Sequence, residues 1–340
     1  MKITLKGDVI KEFQSGLTAY DIAKEISGGL ARAACAARIN GKVCDLRTTI
    51  TEDCSLDILT FDDEDGKKAF RHTASHILAQ AVKRLFPATK LAIGPAIENG
   101  FYYDFDVEKP FSPEDIAKIE AEMKKIVKEG IALEQYELSP AEAIEYLKGI
   151  GEDYKVELCE EHAGKNEPIS FYKQGDFTDL CAGPHLMNTS SIKAVKLTNC
   201  TGAYWRGDAK GKQLCRVYGT AFPKASELEE YLKQVEEAKS RDHNKIGREL
   251  EYFTTVDYIG QGLPILLPKG CDIIQTLQRF VEDEERRRGW VRTKTPLMAK
   301  SDLYKISGHW DHYKDGMFIL GDEEKDDEVF ALRPMTCPLQ

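Results

Sequence analysis

Apolar positions near the amino terminus alternate with polar ones, whereas most later stretches carry a period near 3.6. Ile3-Thr-Leu5, then Lys-Gly-Asp, then residues 9–13 predict a hairpin turning at Gly7. Thr18 and Asp21 predict a capping box, and Ile22, Ala23 and Ile26 give a short helix its apolar side, ended by Gly28-Gly29. Asn40-Gly41 marks another tight hairpin, and residues 56–61 a closing strand. Residues 71–86 read as a helix with Leu78, Val82 and Leu85 on its apolar side, stopped by Pro87. Residues 93–97 and 101–105 flank a third turn at Glu98-Asn-Gly100. Ser112-Pro113 and Ser139-Pro140 open two helices, since Pro is tolerated at the first helical position. Strand-like pieces follow at 169–172, 194–198, 203–206 and 214–218. Residues 225–251 read as one long helix opened by Ser226 and Glu229. After it come an amphipathic helix through Ile273, Leu277 and Phe280, a strand at 290–295, and a hairpin from 317–320 and 329–332.

This order predicts an α+β multidomain protein. Two strands, a helix and further strands over 1–61 resemble a β-grasp fold. The acidic run 62–66 reads as a linker into an α+β unit ending at 224. A long linker helix (225–251) and an unfinished antiparallel-sheet unit (252–340) complete the chain. With 340 residues, 42% hydrophobic and 31% charged, the chain can bury sizeable cores. No apolar run reaches the length of a membrane span, and the amino terminus reads as a strand rather than a signal peptide. Nine scattered cysteines do not form a secreted disulfide framework, so a reducing cytoplasm is the expected compartment. The net charge of −10 argues against broad phosphate neutralisation, which leaves only local basic patches for nucleic acid.

The candidate chemistry is concentrated in two runs, His72-Thr-Ala-Ser-His76 and Asp179-Leu-Cys181-Ala-Gly-Pro-His185. Positions i and i+4 of a helix share a face about 5–6 Å apart, so His72 and His76 can enter one pocket. Cys181 and His185, held by a Gly-Pro turn, can close it. Three readings are open: separately structural residues, a tetrahedral zinc site, or a metal-free hydrolytic pocket in which His moves protons and Asp179 orients water and substrate. In 225–251 the favoured reading is a solvated connector. Its basic second half offers the sharper alternative of a face that grips RNA.

These residues carry a family pattern along the whole chain. Arg71-His-Thr-Ala-Ser-His76, Ile93-Gly-Pro, Asn99-Gly-Phe-Tyr-Tyr-Asp104, Asp179-Leu-Cys-Ala-Gly-Pro-His185 and Thr201-Gly-Ala-Tyr-Trp-Arg-Gly-Asp208 resemble the editing domain of threonyl-tRNA synthetases. Residues 1–61 resemble their TGS (β-grasp) domain, 62–224 the threonyl/alanyl-type editing (second additional) domain, and Arg241-Asp-His-Asn-Lys-Ile-Gly247 the linker helix. Lys294-Thr-Pro296, Ser307-Gly-His-Trp-Asp311 and Arg333-Pro-Met-Thr-Cys-Pro338 resemble the start of the class II catalytic domain, where Leu339-Gln340 depart from the usual Gly-His.

The resemblance implies a threonine–tRNA ligase that uses threonine, ATP with Mg and tRNA(Thr), works as a homodimer in its complete form, and is not a membrane protein. It implies a catalytic zinc with one ligand, Cys337, in this chain, the remainder lying beyond Gln340. The chain is therefore expected to be truncated and to retain editing alone. Serine lacks only a methyl of threonine, a difference worth about 1–3 kcal/mol, so a second, hydrolytic site is needed to clear seryl-tRNA(Thr). The resemblance puts His72, His76, Cys181 and His185 in that site with Asp179 and Lys155 beside them. Tyr103, Met335 and His309 are implied substrate contacts, and Arg206, Arg241 and Lys245 RNA contacts. It also favours the metal-free proton-shuttle reading. The competing functions are a stand-alone trans-editing hydrolase and a non-catalytic TGS-containing RNA-binding module.

Overall fold

Residues 6–8 reverse the chain, so that β1 (Lys2–Leu5) and β2 (Val9–Glu12) pair antiparallel. The computed structural model describes residues 1–163, 167–208 and 211–340, with backbone alone at 162 and 163. It falls into two units, Met1–Ala238 and Lys239–Gln340. In the first, β3 (Leu17–Thr18) leads into α1 (Ala19–Ile26), where the Thr18–Asp21 capping box closes in both directions. Gly28-Gly29 do more than end α1: they open α2 (Gly28–Ala33), because the Ser27 hydroxyl accepts the Gly29 N–H and caps a new helix. β4 (Ala34–Ile39) and β5 (Lys42–Cys44) turn at Asn40-Gly41, β6 (Thr49–Ile50) pairs with β3, and β7 (Cys54–Thr60) runs between β1 and β4. The sheet order β2-β1-β7-β4-β5, with β1 and β7 parallel, is a β-grasp arrangement. Ile3, Ala19, Ile22, Leu46 and Leu56 form its core.

The acidic run expected as a linker is the start of a helix. Asp63 precedes α3 (Glu64–Leu85), and Glu64 and Asp65 fill its first turn, where the helix dipole favours carboxylates. α3 is buried along most of its length, with Leu78 and Val82 in the core, but Leu85, expected on the same side, is exposed next to the terminating Phe86. There follow β8 (Lys90–Leu91), β9 (Ala96–Ile97), β10 (Gly100–Asp106) and α4 (Pro113–Glu129), capped by Ser112. β11 (Leu133–Leu138), α5 (Pro140–Ile150) and α6 (Asp153–Ala163) come next, then β12 (Ile169–Gln174) and β13 (Phe177–Leu180). The pieces expected at 194–198 and 203–206 are one strand, β14 (Ala194–Tyr204), bulged between Leu197 and Asn199. β15 (Gln213–Phe222) bonds along its length. One sheet, β14-β15-β10-β8 with β9 beside β10, packs on α3; a second, β11-β12-β13, shares a core with α5 and α6 through Phe171, Leu147 and Cys159. β11, β13 and α6 had no counterpart in the sequence reading.

The helix expected over 225–251 is two helices. α7 (Ala225–Ser240) starts before Ser226, and α8 (His243–Glu249) starts at Asp242, whose side chain accepts the Lys245 N–H. In the second unit β16 (Phe253–Thr254) pairs with β17 (Ile265–Leu266) ahead of α9 (Pro268–Arg287). β18 (Met298–Lys300), α10 (Ser301–Ile306), α11 (His309–Tyr313), β19 (Ile319–Leu320) and β20 (Phe330–Leu332) complete it. An antiparallel sheet of order β18-β20-β19 encloses a small core of Tyr304, Trp310, Val329 and Ala331. No strand forms at 290–295: Trp290 and Val291 are exposed there, and among the described residues no strand pairs with this segment. Among the described residues no helix is long and apolar enough to cross a membrane.

Candidate functional site

α3 sets His72 and His76 one turn apart, with ring centroids 5.2 Å from each other. After β13 the chain leaves the ladder at Cys181 and passes through Gly183 at φ +71°. A Cβ at 183 would collide with the Tyr172 hydroxyl, so only glycine fits this turn. The turn delivers the His185 ring to 4.4 Å from that of His72 and 4.2 Å from that of His76. Cys181 Sγ lies 3.2 Å from His185 Nε2 and 3.4 Å from His72 Nε2, and accepts the Gly183 N–H at 3.2 Å. Thr73, between the two helical histidines, donates to Ala69 O at 2.9 Å and accepts the Leu186 N–H at 3.0 Å. With its single proton so used, its 3.1 Å contact makes His185 Nδ1 the donor and leaves Nε2 as a lone pair facing Cys181.

Asp179, buried on β13, anchors an ionic network beside the cluster. It accepts from the Tyr103 hydroxyl at 2.6 Å, pairs with Lys155 Nζ at 2.9 Å, and lies 3.7 Å from His76 Nε2. Lys155 also donates to the Tyr103 hydroxyl at 3.1 Å. Gly94 makes room for the Tyr103 ring, which a Cβ there would strike. Burial alone would raise the Asp179 carboxyl, but Lys155, His76 and Tyr103 outweigh it and hold it below its ordinary value. Burial drives His72 down to about 3 and His76 to about 4, and His185 well below the usual imidazole range. It pushes the Cys181 thiol up to about 12. At neutral pH the centre therefore holds three uncharged imidazoles and a thiol, with charge confined to the Lys155–Asp179 pair.

Cys181 opens on a cleft of about 290 Å³ lined also by Leu158, Cys159, Ile169, Ser170 and Leu180. The donor atoms of His72, His76, Cys181 and His185 lie within 4.8 Å of one another, the only cluster among the described residues that could share a metal ion. Their chemistry suits zinc, but four protein ligands make a closed set of the structural kind, leaving no position for a water or ester.

Residues 1–60 match the TGS domain family. Residues 169–218, which hold Asp179, Cys181 and His185, match the family described as threonyl and alanyl tRNA synthetase second additional domain. The threonine–tRNA ligase of Clostridium botulinum (strain Alaska E43 / Type E3) is 66% identical over 340 residues, which is 100% of this chain and 52% of that protein. The chain fits the amino-terminal part of a threonyl-tRNA synthetase. The threonine–tRNA ligase of Acetivibrio thermocellus is 53% identical over 338 residues, 99% of this chain and 52% of that protein. The chain thus spans about half the length of the curated relatives it matches. A solved structure described as the RNA binding domain of threonyl-tRNA synthetase from Cryptosporidium parvum Iowa II is 36% identical, covering 29% of this chain and 24% of that one, with a TM-score of 0.27.

The resemblance assigns the remaining residues to other roles, and each has its own surroundings. Cys337 is exposed in a short turn, and among the described residues no further ligands gather round it. His309 opens α11 with Nδ1 3.0 Å from Ser307 Oγ, and Met335 is exposed. Arg206 lies just beyond β14 at φ +56°, over the Trp205 ring, and its charge is met by Glu157 at 3.2 Å and by Glu161. Arg241 falls at the break between α7 and α8 and Lys245 within α8, both exposed. The sequence reading missed Thr73, Tyr172, Asp45 and Arg47. Thr73 sits inside the His72–His76 run and was open to notice. The other three touch the site only through tertiary contacts.

Proposed function

We propose that this chain hydrolyses seryl-tRNA(Thr) as the editing part of a threonine–tRNA ligase that charges tRNA(Thr) with threonine and ATP. The carrying observation is the meeting of His72, His76, Cys181 and His185 beside the buried Lys155–Asp179–Tyr103 network, with Cys181 of that cluster opening on a cleft. The domain reading is TGS over 1–61, editing over 62–224, linker over 225–251 and the beginning of a class II catalytic domain over 252–340. The antiparallel sheet and long amphipathic α9 of Lys239–Gln340 support the last assignment. We place the protein in the cytoplasm, as a homodimer in its complete form.

His72 is the least buried of the three imidazoles and its Nε2 lies 3.4 Å from Cys181 Sγ, which opens on the cleft, so it is the imidazole that takes the proton from water. The water oxygen attacks the seryl ester carbonyl. The bond to the terminal ribose oxygen breaks, the proton passes to that oxygen, and serine leaves. Lys155, held by Asp179 and Tyr103, supplies fixed positive charge to the developing oxyanion and, with Asp179, orients the terminal adenosine and the serine. Cys181 stays a thiol and shapes the cleft rather than attacking.

Purified chain incubated with seryl-tRNA(Thr), and separately with threonine, ATP and uncharged tRNA, tests this reading. Serine release is the expected result. No release, with His72→Ala indistinguishable from the unmodified chain, overturns it. The donor set itself favours one second reading, a structural zinc. Elemental analysis decides it: stoichiometric zinc that is lost on Cys181→Ala replaces the proton-shuttle account.

A further inference from the structure

The turn that carries Cys181 and His185 has no helix or sheet ladder to satisfy its backbone, so its N–H and C=O groups must find partners elsewhere. Two side chains of the β-grasp portion supply them. Asp45 is buried, and its Oδ2 accepts the His185 N–H at 3.2 Å and the Tyr172 hydroxyl at 2.9 Å. Arg47 pairs with Asp45 Oδ1 at 2.8 Å and donates to Leu186 O at 2.9 Å, Met187 O at 3.1 Å and Leu133 O at 2.9 Å. Its Nη1 also reaches His185 O at 3.5 Å. Arg47 is 138 residues from His185 in sequence, so nothing local would bring them together. A planar guanidinium can reach four carbonyls and a carboxylate at once; an ammonium cannot.

We propose that Asp45 and Arg47 are positioning residues for ester hydrolysis: the β-grasp portion holds the backbone from His185 to Met187 so that His185 Nε2 stays against Cys181 and the cleft keeps its shape. This rests on the editing reading above. The grip is two-sided, since Thr73 of α3 holds the same turn through His185 Nδ1 and the Leu186 N–H. Removing one side leaves the imidazole tethered at a single edge.

The test compares Arg47→Met, Arg47→Lys, Asp45→Ala and Asp45→Asn in the full chain, by single-turnover hydrolysis of seryl-tRNA(Thr) at a temperature well below each variant's melting point. Asn keeps the acceptor for the His185 N–H and Tyr172 but turns its NH2 on the Arg47 donors, so Asp45→Asn should lose less activity than Asp45→Ala. The other three should lose at least about tenfold in the saturated rate, with the half-saturating concentration nearly unchanged, because misplacement by even about 1 Å can cost that much. Arg38→Met is the control. It breaks another tie from the β-grasp strands to α3, the 2.9 Å pair with Asp65, without touching the turn, and should leave hydrolysis unchanged. If the chain hydrolyses and the Arg47 and Asp45→Ala variants match it, positioning is wrong and editing stands. If the unmodified chain does not hydrolyse, the editing reading fails by itself. Hydrogen exchange of residues 181–187 then decides the grip: faster exchange in Arg47→Met or Arg47→Lys supports it, and unchanged exchange overturns it.

Discussion

Three imidazoles packed against one thiol do not titrate like free histidines. His76 is lowered from 6.5 to about 4, chiefly by burial, so between those values the unfolded chain binds more protons than the fold. Stability must then rise with pH across that window and fall on acidification. Urea midpoints at pH 5 and pH 7 check this: the unmodified chain should lose more on acidification than His76→Gln, and equal losses would contradict it. The Lys155–Asp179 pair makes a second prediction at the same scale. Asp179→Asn strands a buried ammonium and should cost about 3–5 kcal/mol, whereas the double change Lys155→Met with Asp179→Asn should recover much of that without restoring hydrolysis. A double variant no more stable than the single would show that the pair is not coupled in this way.

At the scale of elements, short-range devices were legible and long-range ones were not. The capping box at Thr18, the helix starts at Ser112 and Ser139 and the turns at Gly7 and Asn40-Gly41 form where their residues predict, because each is closed by contacts within a few positions. Misreadings came where a local signal had two uses. Asp242 looked like one more polar residue in a long helix and is the cap that starts α8. α6, which carries Lys155, has too weak an apolar stripe to stand out. The turn after β13 yields the prediction here. Gly183→Ala places a side chain at φ +71°, a strain of about 1–3 kcal/mol, and drives it against the Tyr172 hydroxyl. Hydrolysis of seryl-tRNA(Thr) should fall at least about tenfold, as expected of a displaced catalytic turn, while far-ultraviolet circular dichroism stays unchanged. Full activity would mean that the turn tolerates another path.

For the whole molecule, α9 presents Ile273, Ile274, Leu277, Phe280 and Val281 as an exposed apolar stripe. A contiguous patch of this kind marks an interaction surface. Sedimentation of the chain should show concentration-dependent self-association that Leu277→Glu with Phe280→Glu abolishes; a monomer at all concentrations would leave the stripe without that partner. Sequence by itself determined the hairpins at Gly7 and Asn40-Gly41 and the helix starts at Thr18, Ser112 and Ser139, and singled out the four His and Cys residues, because spacing along the chain dictates which side chains share a helical face or a turn. Only the tertiary structure decided that α3 and the turn after β13 meet, that Tyr103 and Lys155 close on Asp179, and that Asp45 and Arg47 grip His185. Those pairings join residues far apart in sequence, and burial of the shared core, rather than any local pattern, selects them.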